Sequence, residues 1–125
     1  MNKTAIVVLG HGSRANESAL SMAKIVERLA RRLPNQVVRI AHRELCPPTL
    51  ETVVAELVEQ GLRRIVILPY FLHLGLHLRR DIPDQLEALR KVFPFVDFIV
   101  TEHLGYDDRL ADILLDRLSA VASFS

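Results

Sequence analysis

Apolar and polar residues follow two alternating patterns along the chain. Short continuous runs of apolar, mostly β-branched residues predict strands that are buried on both faces. Between these runs, apolar residues recur every three or four positions, which is typical of amphipathic helices. The strand-like runs are residues 5–9, 37–41, 64–70 and 95–100, and the helical segments are 13–33, 49–60, 81–93 and 105–121.

Capping and turn residues separate these segments. Gly61 lies where the second helix would end with a left-handed residue. Thr49 is suited to cap the start of that helix through its hydroxyl group. Asp81 is expected to cap the third helix, with Pro83 just inside its first turn. The third helix is therefore predicted to begin only after residues 71–80.

The order βαβαβαβα with short loops predicts a parallel sheet with helices on both faces, a three-layer α/β architecture. The second strand is less apolar than the first and is expected nearer the edge of the sheet. The length suits a single domain over residues 1–125, and half of the residues are hydrophobic, which is enough for a core without disulfides.

Composition narrows the classes of function. The net charge of +1 gives no overall positive field for nucleic acid, although the pair Arg79-Arg80 leaves room for an anionic small molecule. The first apolar run is far too short to span a membrane. The single cysteine, Cys46, excludes an intrachain disulfide and fits a reducing compartment. We therefore expect a soluble cytoplasmic protein that binds neither nucleic acid nor membrane.

The candidate chemistry lies at one edge of the predicted sheet. In open α/β sheets, ligands bind beyond the carboxyl ends of the strands. Every histidine of the chain falls at or just after a predicted strand: His11, His42, His73, His77 and His103. A random distribution would rarely do this, so the pattern predicts a binding site lined by imidazole groups.

The first of these histidines lies in the sequence GHGSR, residues 10–14. Gly12 lets the backbone turn tightly and brings the His11 ring to the rim of the site. Ser13 is suited to cap the next helix, whose free N–H groups attract anions. Arg14 is equally consistent with a contact to a ligand and with a solvated position in the first turn. Taken alone, His11 is better explained as a loop histidine that bonds a backbone carbonyl.

Further candidates follow the second and third strands. His77 lies four residues after His73. In a helix this spacing would place both imidazoles on one face, as in a metal-binding pair. Gly75 between them favours a loop instead. Glu44 is either a surface carboxylate or, facing His11, a ligand or proton acceptor. Two or three imidazole and carboxylate groups from different loops suit a divalent ion such as Co, Ni, Fe or Zn in an open site.

Several motifs carry a resemblance to a known family. They are residues 10–14 (GHGSR), 69–72 (PYFL), 75–77 (GLH), 81–83 (DIP) and 104–107 (LGYD). In this order and spacing they resemble the short sirohydrochlorin chelatases of the CbiX type, which are class II chelatases, over nearly the whole chain. The resemblance implies a chelatase-like α/β domain that inserts cobalt, nickel or iron(II) into a sirohydrochlorin-type tetrapyrrole without nucleotide hydrolysis.

The resemblance also implies roles for individual residues. His11 and His77 would bind the metal, and Glu44 would match a carboxylate of related chelatases. The ion is a substrate, so no tightly bound cofactor is implied, and a homodimer is expected to enclose the macrocycle. A histidine or Glu44 would accept the pyrrole protons as a general base. The residues expected to contact the ring are Gly12, Ser13, Arg14 and Gly75.

Two other functions stay open on the sequence. Residues 10–15 match a loose Gly-x-Gly-x-x-Ala fingerprint of nucleotide-binding loops, but the chain is short for a dinucleotide crevice and the histidine-rich loop is left unexplained. A non-catalytic metal carrier of the same fold would bind cobalt or nickel without a tetrapyrrole. Imidazole suits cobalt, nickel and iron alike, so the sequence does not choose between cobalamin, siroheme and nickel-tetrapyrrole pathways.

Overall fold

The computed structural model describes residues 4–12, 16–43 and 47–121, with only the backbone described for residues 16–19. Strands and helices alternate strictly along it. The strands are β1 (Thr4–Gly10), β2 (Val37–His42), β3 (Arg64–Pro69) and β4 (Asp97–Val100). The helices are α1 (Asn16–Arg31), α2 (Leu50–Glu59), α3 (Leu76–Val92) and α4 (Asp108–Ser119). The predicted order is therefore confirmed.

The four strands form one parallel sheet in the order β2-β1-β3-β4. The less apolar β2 lies at the edge, as predicted, and the apolar β1 is central. At the carboxyl end, Gly10 lies opposite His42 on β2, and Leu9 lies opposite Pro69 on β3. This register brings the ends of three strands level, so their following loops share one edge.

The direction of each crossover decides which helix covers which face. Right-handed crossovers put α1 on one face of the sheet and α2 and α3 on the other. The buried residues divide in the same way. The large cluster between the sheet and α2 and α3 includes Val7, Leu9, Val53, Leu57, Ile65, Ile67, Ile82 and Leu86. The cluster under α1 is small and consists of Val8, Met22 and Val26, with partly buried neighbours.

The ends of α2 are set by the residues that the sequence indicated. Thr49 Oγ1 accepts a hydrogen bond from Thr52 N at 3.3 Å, which satisfies one free N–H of the first turn. After Glu59 and the C-cap Gln60, Gly61 adopts a φ of +93°. Both the Thr49 cap and the glycine end of the helix are thus confirmed.

Gly61→Ala tests the cost of this left-handed turn. No described atom lies within 4 Å of the position that the new Cβ would take, so crowding adds nothing and only the backbone conformation is penalised. We expect the free energy of unfolding to fall by about 1–2 kcal/mol, measured by urea denaturation. Glu59→Ala, in the exposed last turn of the same helix, is the control and should change it by less than about 0.5 kcal/mol. Equal effects of the two substitutions would contradict the assignment.

The helix α3 begins five residues before Asp81. Gly75 is its N-cap and Leu76 is its first residue, so the predicted start at Asp81 or Pro83 is wrong. Asp81 does not cap the helix, because its carboxylate instead accepts a hydrogen bond from Arg43 Nη1 at 3.1 Å.

Pro83 lies inside α3, where it has no N–H to donate to the preceding turn. Apolar contacts hold the helix on both sides of this break. Leu78 packs against the large core cluster, and Ile82 and Leu86 are buried within it. These tertiary contacts offset the lost hydrogen bond. The prediction from the sequence considered only the local preference of proline, and therefore placed Pro83 at the start of the helix.

Smaller differences concern the other element ends. β4 begins at Asp97 rather than at residue 95, and α1 is described from Asn16 to Arg31 rather than from 13 to 33. The predicted Ser13 cap lies outside the described residues. In the described part of the chain, no helix combines the length and apolar character needed to cross a membrane.

Candidate functional site

Backbone hydrogen bonds hold the strand exits together at the carboxyl edge of the sheet. Three of them join neighbouring exits: Arg43 N to Gly10 O at 2.8 Å, Tyr70 N to Leu9 O at 2.8 Å, and Leu104 N to Phe71 O at 3.1 Å. The loops after all four strands are therefore tied in one row. Side chains on these loops are presented to the same side of the molecule, as the topology predicts.

His11 lies near the middle of this row and is exposed. Its ring stands edge-on to the ring of Phe71, with 6.1 Å between the centroids and 85° between the planes. Phe71 is buried in the large core cluster, so it gives the imidazole a rigid wall on one side. Gly12 follows with a φ of +93°, a conformation that disfavours any side chain and that turns the chain directly after His11.

His77 is exposed and is the second residue of α3. It therefore lies in the first helical turn rather than in a loop, which corrects the prediction that Gly75 keeps this segment irregular. Gly75 instead adopts an extended N-cap conformation, with φ −71° and ψ 175°. His73 precedes the cap, so the two histidines do not form a pair on one helical face. The other four histidines lie at or just after strand ends, as predicted: His42 is the last residue of β2, and His11, His73 and His103 follow β1, β3 and β4.

An ion pair connects the exit of β2 with α3, the helix that carries His77. Arg43 Nη1 lies 3.1 Å from Asp81 Oδ2, and the two side chains are 17% and 40% exposed. Asp81 lies one helical turn beyond His77, while the backbone of Arg43 is bonded to Gly10, the neighbour of His11. The contact draws the exit of β2 and the start of α3 together beside the exit of β1.

Three predicted site residues lie outside the described part of the chain: Ser13, Arg14 and Glu44. Their roles as ring contacts and as proton acceptor stay predictions. Within residues 4–12, 16–43 and 47–121, no group of three or more His, Cys, Asp or Glu side chains is placed to hold a metal ion. A site built on His11 and His77 would thus take its other ligands from solvent, substrate or Glu44, which is the character of an open site.

His42 lies at the same edge but is turned inward. It is 8% exposed, and its Nδ1 has no hydrogen-bond partner among the described residues. The Nδ1 lies 3.4 Å from the position of a Cβ added to Gly10, so the small glycine makes room for this ring. Its burial separates His42 from the exposed histidines.

A cavity of about 630 Å³ opens beside this row, between the β3–α3 loop and the start of α4. Its polar side chains are those of His73, Arg79, His103, Tyr106, Asp107 and Asp108. Arg79 Nε donates a hydrogen bond to Leu74 O at 3.2 Å, which fixes the guanidinium against the loop. The volume is that of a small-molecule site, and its lining combines one guanidinium and two imidazoles with two carboxylates. Sequence reasoning places Tyr106 with His103 after the fourth strand, but it assigns no role to His73, His103 or Tyr106.

Charged groups at the start of α4 have shifted pKa values. The Arg109 guanidinium donates to both oxygens of Asp107, at 2.8 and 2.7 Å, and the Arg109 backbone N donates at 2.9 Å. These contacts, the guanidinium first, hold the pKa of Asp107 well below its ordinary value of 3.8, and they raise the pKa of Arg109. Tyr106 Oη donates to Asp108 Oδ1, which raises the pKa of Tyr106.

Asp107→Ala is expected to loosen the first turn of α4, because it removes both the cap and the anchor of Arg109. The folded pKa of Asp107 lies below the unfolded value of 3.8, so its stabilisation is complete above about pH 4 and is lost only as the pH falls towards the folded pKa. Amide-exchange protection over residues 109–112 should therefore be equal at pH 7 and pH 5 in the unmodified chain. It should fall at both pH values in Asp107→Ala, and should not fall at residue 109 in Asp112→Ala. Unchanged protection in Asp107→Ala would contradict the capping role.

Comparison with known proteins identifies the family of the chain. A family model described as CbiX matches residues 5–121. The chain belongs to the CbiX family. A sirohydrochlorin cobaltochelatase of Methanocaldococcus jannaschii is 31% identical to this CbiX chain over 137 residues, covering 90% of the chain and 96% of that protein. The predicted family is therefore confirmed.

Longer relatives match only in part. A sirohydrochlorin ferrochelatase of Priestia megaterium is 32% identical over 115 residues, which cover 92% of the CbiX chain and 43% of that protein. The crystal structure of the sirohydrochlorin chelatase SirB from Bacillus subtilis subspecies spizizenii, in complex with cobalt, has a TM-score of 0.87 and 28% identity. It covers 96% of the CbiX chain and 51% of SirB. The chain thus spans about half the length of these two relatives, and the predicted chelatase-like fold is confirmed.

Proposed function

We propose that the protein is a sirohydrochlorin metal chelatase, a lyase-type enzyme that inserts a divalent ion into a sirohydrochlorin-type tetrapyrrole without ATP. The observation that carries this proposal is the similarity to the Methanocaldococcus cobaltochelatase over nearly its full length. Cobalt is the first choice of metal on that ground. Nickel and iron stay as alternatives, because relatives of similar identity are ferrochelatases and imidazole suits all three ions.

The metal would be held by His11 and His77. Both imidazoles are exposed at the carboxyl edge. The ion pair of Arg43 with Asp81 joins the β2 exit to the helix of His77, and the backbone of Arg43 is bonded to Gly10, next to His11. A two-imidazole site leaves most coordination positions to water, which the ring nitrogens then replace. The ion enters and leaves with the product, so it is a substrate rather than a resident cofactor.

The ring must lose its pyrrole N–H protons as the metal–nitrogen bonds form, because metal ligands bind in their deprotonated form. Glu44 or an imidazole would accept these protons as a general base. Gly12, Ser13, Arg14 and Gly75 would contact the ring, with the arginine pairing with its carboxylates. Holding the ion and the ring in one geometry would supply much of the rate.

We also propose that residues 1–125 act as a single chelatase-like domain in a cytoplasmic homodimer. A tetrapyrrole is a wide plate, and the carboxyl edge of one four-stranded sheet offers a shallow rim to it. Two copies that face each other would bury more of the plate, and twofold pairing is the commonest assembly. The single cysteine suits the reducing compartment.

Anaerobic incubation with sirohydrochlorin and Co²⁺, Ni²⁺ or Fe²⁺ in turn, followed by visible absorbance, tests the proposed function. We expect metallation well above the protein-free rate with at least one ion, and no dependence on ATP. Rates equal to the protein-free rate with all three ions would contradict it. Tight metal binding without metallation would instead indicate a carrier, and binding of NAD or ATP without sirohydrochlorin would indicate a nucleotide-binding module.

A further inference from the structure

One aromatic ring at the carboxyl edge of the sheet is almost fully exposed. Tyr106 is 91% exposed, although aromatic side chains are normally among those that bury the most apolar area. It lies between β4 and α4 and belongs to the lining of the cavity of about 630 Å³ beside the row of strand exits. A ring left in solvent at the edge where the substrate is proposed to bind is a candidate for direct contact with that substrate.

The position of the Tyr106 ring is held from both ends. Its Oη donates a hydrogen bond to Asp108 Oδ1 in the first turn of α4. On the backbone side, the next residue is Asp107, the N-cap of α4, which accepts a hydrogen bond from Arg109 N at 2.9 Å. The ring is therefore presented to solvent in a defined orientation, which reduces the entropy that is lost when a ligand binds against it.

Tyr106 also lies close to one of the proposed metal ligands. The Phe71 ring is 6.1 Å from the His11 ring between centroids, and Phe71 O accepts a hydrogen bond from Leu104 N at 3.1 Å. Tyr106 is two residues beyond Leu104, and two residues of chain span at most about 7 Å. A wide, flat ligand bound at His11 can therefore extend over Tyr106.

The charges of the cavity do not oppose a ligand that carries carboxylates. The carboxylates of its lining are those of Asp107 and Asp108. The Arg109 guanidinium donates to both oxygens of Asp107, at 2.8 and 2.7 Å. Arg79 lines the same cavity and supplies a second guanidinium, whose Nε is bonded to Leu74 O. The two guanidinium groups balance the two carboxylates, so the cavity presents no net negative charge to the ligand.

We propose that Tyr106 is an aromatic platform on which an outer pyrrole ring of the tetrapyrrole stacks while His11 and His77 supply the metal. Aromatic side chains bind other flat conjugated rings in offset stacks, with centroids about 4.5–7 Å apart. The ring is flat before and after the metal enters, so the contact is made in both states. It therefore contributes to binding and orientation and acts on KM rather than on kcat. The inference rests on the proposed function and adds a substrate contact to it.

Equilibrium binding of metal-free sirohydrochlorin, followed by its absorbance under anaerobic conditions, tests this contact. Tyr106→Ala is expected to raise the Kd at least about fivefold, as removal of an aromatic side chain that stacks on a flat base does. Tyr106→Phe keeps the ring and should stay within about threefold of the wild type. Phe95→Ala is the matched control and should leave the Kd unchanged, because Phe95 is an exposed aromatic residue just before β4, at the opposite edge of the sheet.

Steady-state metallation separates a substrate contact from a structural role. In Tyr106→Ala the KM for sirohydrochlorin should rise at least about fivefold, while kcat and the binding of Co²⁺ alone stay as in the wild type. Equal Kd values for Tyr106→Ala and the wild type would overturn the inference and leave the proposed function standing. So would an equal rise in Kd for Tyr106→Ala and Tyr106→Phe, because the ring would then not be the group that binds.

Two outcomes for the wild-type chain concern the proposed function itself. Sirohydrochlorin binding that depends on the Tyr106 ring, without metallation by any of the three ions, would overturn the proposed function and leave the stacking contact standing. A wild-type chain that binds no sirohydrochlorin would overturn both.

Discussion

His77→Ala is expected to lower the rate of metal insertion at least about 100-fold, and His11→Ala to do the same. Removal of groups that merely orient metal ligands costs 10–100-fold, so loss of a ligand itself should cost no less. Both side chains are exposed, so neither substitution removes core packing. The measurement is anaerobic metallation of sirohydrochlorin followed by absorbance, beside thermal unfolding of each variant.

His73→Ala is the matched control for these two variants. His73 is the same residue type, is exposed, and lies on the same β3–α3 segment as His77, but it precedes the helix and has no assigned ligand role. Its metallation rate should stay within about threefold of the wild type, a difference of less than 1 kcal/mol in the barrier. Wild-type turnover by both His11→Ala and His77→Ala would refute the assignment of the metal ligands.

Leu57→Ala is expected to lower the free energy of unfolding by about 2–5 kcal/mol. Leu57 is fully buried between α2 and the sheet, and truncation would leave a cavity in the large core cluster. The loss is a large part of the 5–15 kcal/mol that stabilises an ordinary domain. Urea denaturation should show a lower midpoint with an unchanged slope.

Leu76→Ala is the control for the core substitution. Leu76 is of the same residue type but is 87% exposed, so it buries little apolar surface in the chain. We expect less than about 0.5 kcal/mol of change. A loss below 1 kcal/mol for Leu57→Ala would show that the α2 side of the sheet is not the main source of stability.

The order of elements could be predicted because it depends on local periodicity. β1 and β3 are continuous apolar runs rich in β-branched residues. Such runs fit a parallel sheet that is covered on both faces. The start of α3 could not be predicted in the same way. Pro83 is a strong local signal for a helix start, while the burial of Ile82 and Leu86 that carries the helix past it is a tertiary effect.

The location of the site could be predicted from the topology of the sheet, but the contacts within the site could not. The rule that ligands bind at strand carboxyl ends places His11 and the β3–α3 segment at one edge, and the structure describes both there. The ion pair of Arg43 with Asp81 joins residues 38 positions apart, a separation at which sequence patterns give no pairing information. The inward turn of His42 likewise depends on the space beside Gly10 rather than on its own sequence.

The role of α4 shows a different limit. The spacing of Leu110, Leu114 and Leu118 predicts a helix with one apolar side, and the structure confirms the helix. Periodicity predicts that this side is buried, but it does not say against which element. In the structure no residue of the helix is buried, which periodicity alone does not predict.

Cobalt K-edge X-ray absorption of the Co²⁺-loaded protein tests most directly whether His11 and His77 share one cation. The account predicts scattering from two imidazole groups per cobalt in the wild type and from one in each single alanine variant. The same number of imidazole groups in the wild type and in His77→Ala would contradict it.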